Sequence, residues 1–308
     1  MSKSGMTPSA SPGSPALQPS GPPLHRLLAA TRPFFRNGKA LVGSGLFLAF
    51  VLTAVFAPVL SPANPTATLF LPDVGPSASH LLGTTQSGQD VLSQLLWGTR
   101  ASLEIAIGAG LLTTFMAIFI GILSGFVGGL VDEILTILTN VFLIIPSLVL
   151  VIVVSSYIQA QNNWLIIVLI SITSWPWGAR VLRSQTLSLR AKDFVVSCQL
   201  AGESTVRIAF VEILPNMVSL AAASFFFTCL YAVVTASSLQ FLGLGNISTV
   251  SWGTMLYWAN NGEALLTGAW WWFIPPGLCI GLLGAAFALM NFAVDEITNP
   301  RLRRGGAA

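Results

Sequence analysis

Charge is what this chain has least of. Of 308 residues, 14 are Lys or Arg and 11 are Asp or Glu, 8% in all, where a soluble domain carries about 25%. Hydrophobic residues make up 54%, and the mean hydropathy is +0.77. That balance excludes a soluble globular enzyme and a disordered chain. A net charge of +3 is too thin a surplus for a nucleic-acid-binding face. Cysteine is scarce too. Cys198, Cys229 and Cys279 are far apart with no His or second Cys nearby, so they read as small apolar packing residues, not a disulfide framework or metal set. No Gly-x-x-x-x-Gly-Lys-Ser/Thr, Gly-x-Ser-x-Gly or His-Glu-x-x-His run occurs, so the chain has no phosphate loop of its own and no recognisable catalytic or metal site. What remains is a polytopic membrane protein.

A membrane-crossing helix needs about 20 apolar residues, and a charge at its centre costs roughly 2.5–3.5 kcal/mol. Long uncharged gaps therefore mark the spans. They run from Lys39 to Asp73, Glu104 to Asp132, Glu133 to Arg180, Glu212 to Glu263 and Glu263 to Asp295. The polar break Gln159-Ala160-Gln161-Asn162-Asn163 divides the third gap into two spans. The second half of the fourth is too polar and Gly-broken to cross. Six spans follow, near 41–60, 104–127, 135–158, 164–182, 218–241 and 270–292. A seventh, re-entrant element near 250–260 stays open. The spans must be helices, since lipid offers no partner to open backbone groups. Span 1 is too long and too far from the N-terminus for a cleavable signal and reads as a signal anchor.

Lys and Arg collect on the cytoplasmic side of membrane proteins. Thirteen of the 14 cations fall in the N-terminal segment, around the 183–217 loop or at the C-terminus, leaving Arg100 alone on the other side. Both termini and the 183–217 loop are therefore expected in the cytoplasm, with 61–103 and 246–269 outside. This topology puts His25 and His80 on opposite sides. Residues 1–35, rich in Ser, Pro and Gly over most of their length, read as a disordered tail, 36–299 as the membrane domain and 300–308 as a second tail.

Ionisable residues inside spans mark function by default. Here Glu104, Arg180 and Arg183 sit only at span ends, which argues against ion coupling. Gly121 and Gly125, and likewise Gly277 and Gly281, have the spacing of close helix contacts. Pro58, Pro146, Pro176, Pro275 and Pro276 imply kinks. Trp164, Trp252, Trp258 and Trp270-Trp271-Trp272 read as an aromatic belt at the outer interface.

The informative segment is the 183–217 loop. Asp193 can begin a short helix, Gly202 can end it, and Glu203, Ser204 or Thr205 can cap the next one. Phe194, Val195 and Leu200 would give this helix an apolar surface, either folded against the bundle or docked to a partner.

At this loop the sequence resembles the permeases of ATP-binding-cassette importers. Their motif is Glu-Ala-Ala, three residues, Gly, nine residues, then Ile-x-Leu-Pro. Here Val196-Ser197-Cys198 takes the first place, Gly202 the Gly place and Glu212-Ile213-Leu214-Pro215 the last. Further stretches are similar to the dipeptide/oligopeptide permease subfamily: His80-Leu81-Leu82-Gly83-Thr84 with Gly88-Gln89-Asp90-Val91-Leu92-Ser93, Ile145-Pro146-Ser147-Leu148, Phe241-Leu242-Gly243-Leu244-Gly245 with Ser251-Trp252-Gly253-Thr254-Met255-Leu256, and Asn299-Pro300-Arg301-Leu302-Arg303. The family usually has Arg in place of Gln89. The resemblance covers about 35–304, and the short first outer loop is similar to the second of the two permease subunits of such systems.

The resemblance implies an all-α, type I importer permease fold in a prokaryotic plasma (inner) membrane. It implies a path for di- or oligopeptides formed with a second permease. It also implies two ATPase subunits that carry ATP and Mg, and an extracytoplasmic binding protein; this chain would bind no cofactor itself. Nickel chelates or oligosaccharides are alternative cargoes, and an ion-coupled secondary transporter is a rival class. The coupling residues would be Asp193, Phe194, Ser197, Cys198, Ala201, Gly202, Glu203, Arg207, Leu214 and Pro215. Val196 stands where the family has Glu, so that contact must be apolar or come from elsewhere, such as Glu203. Ser224, Thr228, Thr235, Ser238 and Gln240 either line the path or bond back to their own helix.

Overall fold

A computed structural model describes residues 37–158 and 162–298. The expected tails, 1–35 and 300–308, and residues 159–161 of the polar break lie outside the described residues. The described residues form ten helices and no strand. Five are long and apolar enough to cross a membrane: α1 (Gly38–Leu60), α2 (Val91–Val127), α5 (Asn163–Arg190), α7 (Thr205–Phe241) and α10 (Trp270–Thr298). The sixth crossing is a broken one. Helices α3 (Gly129–Ile144) and α4 (Ser147–Ile158) meet at 86°. Helix α3 starts beside Arg183, while α5 starts beside Glu104 at the opposite end, so the pair crosses once. Pro146 explains the break. It lacks the N–H that would continue the helix and forces the preceding residue out of helical geometry, and Ile145 is extended (φ −78, ψ 125).

Three shorter helices complete the set: α6 (Asp193–Leu200), α8 (Trp252–Asn261) and α9 (Ala264–Thr267). At ten residues α8 is about 15 Å long and cannot cross. Its N-terminal Ser251 hydroxyl donates to Gln240 at the end of α7 (2.8 Å), and Gly262 packs near Gln86 and Trp272. Both ends of α8 thus stay at one end of the bundle.

Two spans are longer than their charge gaps suggest. Helix α2 begins at Val91, well before Glu104, because Asp90 caps it by accepting from the Ser93 N–H at 2.8 Å and the Ser93 hydroxyl at 2.7 Å. Helix α5 continues to Arg190. The 183–217 segment is therefore mostly helical, with breaks only at 191–192 and 201–204.

Glycines set the closest contacts. A Cβ on Gly121 would lie 2.8 Å from the Ala179 carbonyl, and one on Gly125 2.9 Å from that of Arg183, so α2 lies directly on α5. The expectation for Gly121 and Gly125 holds. It does not extend to Gly277 and Gly281, where a Cβ would meet nothing within 4 Å in this chain. Helix α1 is held instead by Gly43 against Ala286, Leu289 and Met290 of α10. Its Phe47 lies 5.5 Å from Phe287, and its Phe50 5.4 Å from Trp252.

The aromatic-belt reading needs correcting. Trp252 and Trp272 are buried in the core. The Trp252 indole donates to the Leu95 carbonyl at 3.2 Å. Trp271 clamps the 61–90 segment, donating to the Thr84 carbonyl at 3.2 Å and packing near Gly75 and Gly83. Trp164, Trp258 and Trp270 are exposed, as a belt requires.

Candidate functional site

Halfway along the bundle, α2, α5, α7 and the α3–α4 elbow enclose a cleft of about 360 Å³. Thr113 and Thr114 reach it from α2, Ser174 and Trp177 from α5, and Ser224, Phe227 and Thr228 from α7. The elbow contributes Phe142, Pro146 and Ser147. The bend at Pro146 makes the room, since a straight helix would carry its side chains past this level. Ser147 and Tyr231 hydroxyls bond across it at 2.8 Å, and Trp177 stacks on Phe227 at 5.3 Å. No described residue lining the cleft is charged. Below it, Arg183 of α5 grips Asp132 of α3 with two hydrogen bonds of 2.6 Å each. The Ser124 hydroxyl of α2 also donates to Asp132, so three helices meet at one carboxylate.

At the same end as Arg183, α6 projects from the bundle. Lys192 is its N-cap, without a side-chain cap bond, and Asp193 is its first helical residue, so the helix starts one residue earlier than with Asp193 as the cap. A carboxylate there still favours the positive helix N-terminus. Gly202 closes α6 in a left-handed conformation (φ +78). The Glu203 N–H donates to the Cys198 carbonyl (3.1 Å) and the Gly202 N–H to that of Gln199 (3.1 Å), the paired bonds of a Schellman motif. Ser204 caps the next helix through the Arg207 N–H at 3.4 Å. Val195 faces inward and is buried with Ile208, Ile213 and Met217. Phe194 (38% exposed), Val196 (42%) and Leu200 (85%) face outward. The helix is thus anchored by one face, the Val195 side folding against the bundle, and open on the other.

Helix α7 begins at Thr205 under distortion. Ile208–Ile213 is a π turn and Leu214–Met217 a 3₁₀ turn, and Pro215, which cannot donate, sits in the latter. Cys198 is not isolated in space. Its sulfur and the carboxylates of Glu203 and Glu212 lie within 4.8 Å of one another. Burial, followed by those two carboxylates, pushes the thiol above its ordinary pKa. The trio offers three donor atoms to a cation, but all three residues are half-buried, and Glu203 already pairs with Arg207 at 3.5 Å.

Residues 117–304 match the family described as binding-protein-dependent transport system inner membrane component. The chain belongs to this family. Residues 28–76 also match the N-terminal TM domain of oligopeptide transport permease C. Among similar proteins, the oligopeptide transport system permease protein OppC of Bacillus subtilis is 33% identical over 88% of each chain. The dipeptide transport system permease protein DppC of Haemophilus influenzae is 32% identical, over 88% of this chain and 93% of its own length. The fold is the type I permease fold of that family, and the protein is a multi-pass component of an importer.

The structure gives the permease motifs in the sequence distinct mechanical places. In the 80–93 stretch, Asp90 caps α2 and also pairs with His80 Nδ1 at 3.1 Å. Ser251 and Thr254 form the capping box of α8. Asp193, Phe194, Ser197, Cys198, Ala201, Gly202 and Glu203 lie on α6 or its closing turn, and Arg207, Leu214 and Pro215 on the distorted start of α7. Of the five α7 residues considered for the path, Ser224 and Thr228 border the cleft, with Thr228 also bonded to the Ser224 carbonyl at 2.8 Å. Thr235, Ser238 and Gln240 are not among the residues around it. Ser238 bonds to the Val234 carbonyl, and Gln240 accepts from Ser251. Thr113, Thr114, Ser174 and the Asp132–Arg183 pair were not singled out in the sequence. The pair spans 51 positions, and nothing in a single sequence signals such a contact. The hydroxyls share their spans with other Ser and Thr, such as Ser102 and Ser124 in α2 and Ser171 and Thr173 in α5, and nothing in the sequence sets them apart.

Proposed function

We propose that the protein is one of two permeases of an ATP-driven importer of di- or oligopeptides, and that α6 docks on an ATPase subunit. A second permease closes the open side of the cleft, where Trp177, Phe227 and Ile145 are exposed. Two ATPases sit below, and an extracytoplasmic binding protein delivers peptide to the Trp-rich end. The cationic end, with Arg180, Arg183, Arg190, Lys192 and Arg207, faces the cytoplasm. The observation that carries this reading is α6 itself. It is a helix pinned through Val195 yet showing Phe194, Val196 and Leu200 outward, at the place where the family motif falls. ATP binding would bias a two-state bundle, and a rigidly anchored knob is what passes such a bias on. With Val196 in place of Glu, the contact is apolar.

Co-purification of the tagged chain tests the complex; recovery without an ATPase and a second permease would sink the proposal. In a Cys198→Ser background, a cysteine at Phe194 should crosslink to the ATPase. Gly202→Pro and Arg207→Glu should lower peptide-stimulated ATP hydrolysis while leaving insertion intact, and normal hydrolysis in both would count against the role of α6. A membrane-impermeant thiol reagent added from outside should label a cysteine at Leu266 and not one at Leu200 if the orientation is right.

A further inference from the structure

We propose that the pocket beneath the central cleft is a carboxylate site, in which Arg180 takes the C-terminal end of a peptide. This rests on the reading of the chain as a peptide importer subunit, and it says which end of the cargo the chain recognises and with which residue.

The pocket lies about one helical turn below the cleft, between the same helices α2, α3 and α5, and encloses about 210 Å³. Its walls continue those of the cleft. On α2, Ala117 of the cleft is followed by Gly121 and Ser124 of the pocket, on α3 Leu143 is preceded by Asn140 and Thr136, and on α5 Trp177 is followed by Arg180 and Arg183. Steps of three and four residues keep to one face of a helix, so cleft and pocket form a series on one side of the bundle. What changes between them is charge. No described residue bordering the cleft is charged, whereas two guanidinium groups border the pocket.

The two arginines differ in what they have left to give. Arg183 spends Nε–H and Nη2–H on Asp132 at 2.6 Å each, and its charge is neutralised there. Arg180 has no carboxylate within ion-pair distance among the described residues. Its guanidinium makes one bond there, from Nη2–H to the Asn140 side-chain oxygen at 2.8 Å. A guanidinium has five N–H donors in a planar fork that matches a carboxylate, so most of this one is unused. Arg180 is also exposed, which leaves the fork open to a ligand.

With Asp132 counted, two arginines stand against one acid, and the pocket carries one net positive charge. That balance selects the ligand. An ammonium terminus is repelled, and the neutral interior of a peptide gains nothing from the charge. A carboxylate can pair bidentately with Arg180, the strong form of such a bond. A phosphate headgroup would meet the same charge. The pocket, however, follows the cleft on the side that a second permease covers in the proposed complex, away from lipid.

The test uses both permeases with their ATPases, in detergent so that the cytoplasmic end is open to solutes. Cys198, Cys229 and Cys279 are replaced by alanine, and Ile120→Cys puts a thiol beside the pocket. Its labelling by a thiosulfonate reagent is timed with tetra-alanine or tetra-alanine amide present. Tetra-alanine should protect at about tenfold lower concentration than the amide, the scale of one charge-assisted bond. Arg180→Gln should erase that difference, and Arg180→Lys, which keeps the charge but not the fork, should restore part of it. Equal protection by the two peptides, protection by neither, or a difference that survives Arg180→Gln overturns the inference. Protection that comes from added phosphatidylglycerol and not from tetra-alanine also overturns it, and makes the pocket a lipid site. Tetra-alanine uptake in proteoliposomes with the binding protein separates this inference from the reading beneath it. Uptake by a complex that shows no carboxylate preference overturns the inference alone, whereas absence of uptake by the unaltered complex overturns the importer reading and the inference with it.

Discussion

The two ends of the bundle are built on opposite plans. At the Trp-rich end, connections are stitched down. Trp271 holds the 61–90 segment through the Thr84 carbonyl, Asp90 caps α2 while pairing with His80, and Trp252 sinks from α8 into the core. At the cationic end, α6 packs on the bundle through Val195 and the half-buried Cys198, and the span it joins starts with a π and a 3₁₀ turn. Connecting segments at the first end are tied to other elements by side-chain bonds, whereas α6 is held by apolar packing. On the proposed reading, the ATPases act at the end where α6 shows an open apolar face.

Substitutions can break this contrast, and the largest effects belong at the stitched end. Trp252→Ala empties a fully buried indole site and should cost about 3–5 kcal/mol, seen as a clear fall in melting temperature and yield in detergent. A loss no greater than that of a surface variant would erase the distinction between the ends. Asp132→Ala comes next, at the cationic end but within the bundle itself. It leaves the partly exposed Arg183 without its carboxylate, at a cost of roughly 1–2 kcal/mol after allowance for solvent screening, and exchanging the two residues should recover part of it. Trp271→Phe keeps the ring and removes one hydrogen bond, so about 1 kcal/mol is expected, together with faster proteolysis of the 61–90 segment.

On α6, Leu200→Glu should change stability by less than about 0.5 kcal/mol and yet reduce coupled ATP hydrolysis severalfold. Equal damage to stability would mean that α6 is core. The smallest expected effect is chemical. Burial, Glu203 and Glu212 raise the Cys198 thiol pKa, so at a given pH less thiolate is present than for a free thiol. Glu203→Gln with Glu212→Gln should lower that pKa and speed maleimide labelling, most visibly on the alkaline side of neutrality. An unchanged rate would show that burial alone sets it.

Much of this was legible beforehand. Charge gaps located the six crossings because a charge in lipid is expensive wherever it falls. Gly202 marked the close of α6, and Ser204 was among the caps expected for the helix after it, because caps act locally. What the sequence concealed was spatial. Trp252 and Trp258 look alike in a list of residues, but one is buried in the core and the other exposed, a difference decided by packing against Gly98 and Phe50. Pro146 announced a break, but its angle, and hence the cleft, depends on how α4 packs against α5. The start of α2 was missed although its signal, Asp90 followed by Ser93, was in plain view, because attention to charge gaps placed the boundary at Glu104.

The junction at the foot of α7 is also a setting of rotational phase. A π turn underwinds a helix and a 3₁₀ turn overwinds it, so placing one directly after the other returns part of the angle the first gives up. The bearing of α6 relative to Ser224 and Thr228 is thus fixed by the balance of two irregular turns. A π turn carries one residue more than the α turn it replaces, so deleting one residue within Ile208–Ile213 would let that turn close as an α-helix and leave the bearing of α6 nearly unchanged, whereas the same deletion in a regular part of α7 before Ser224 would swing the outward face of α6 by about 100°.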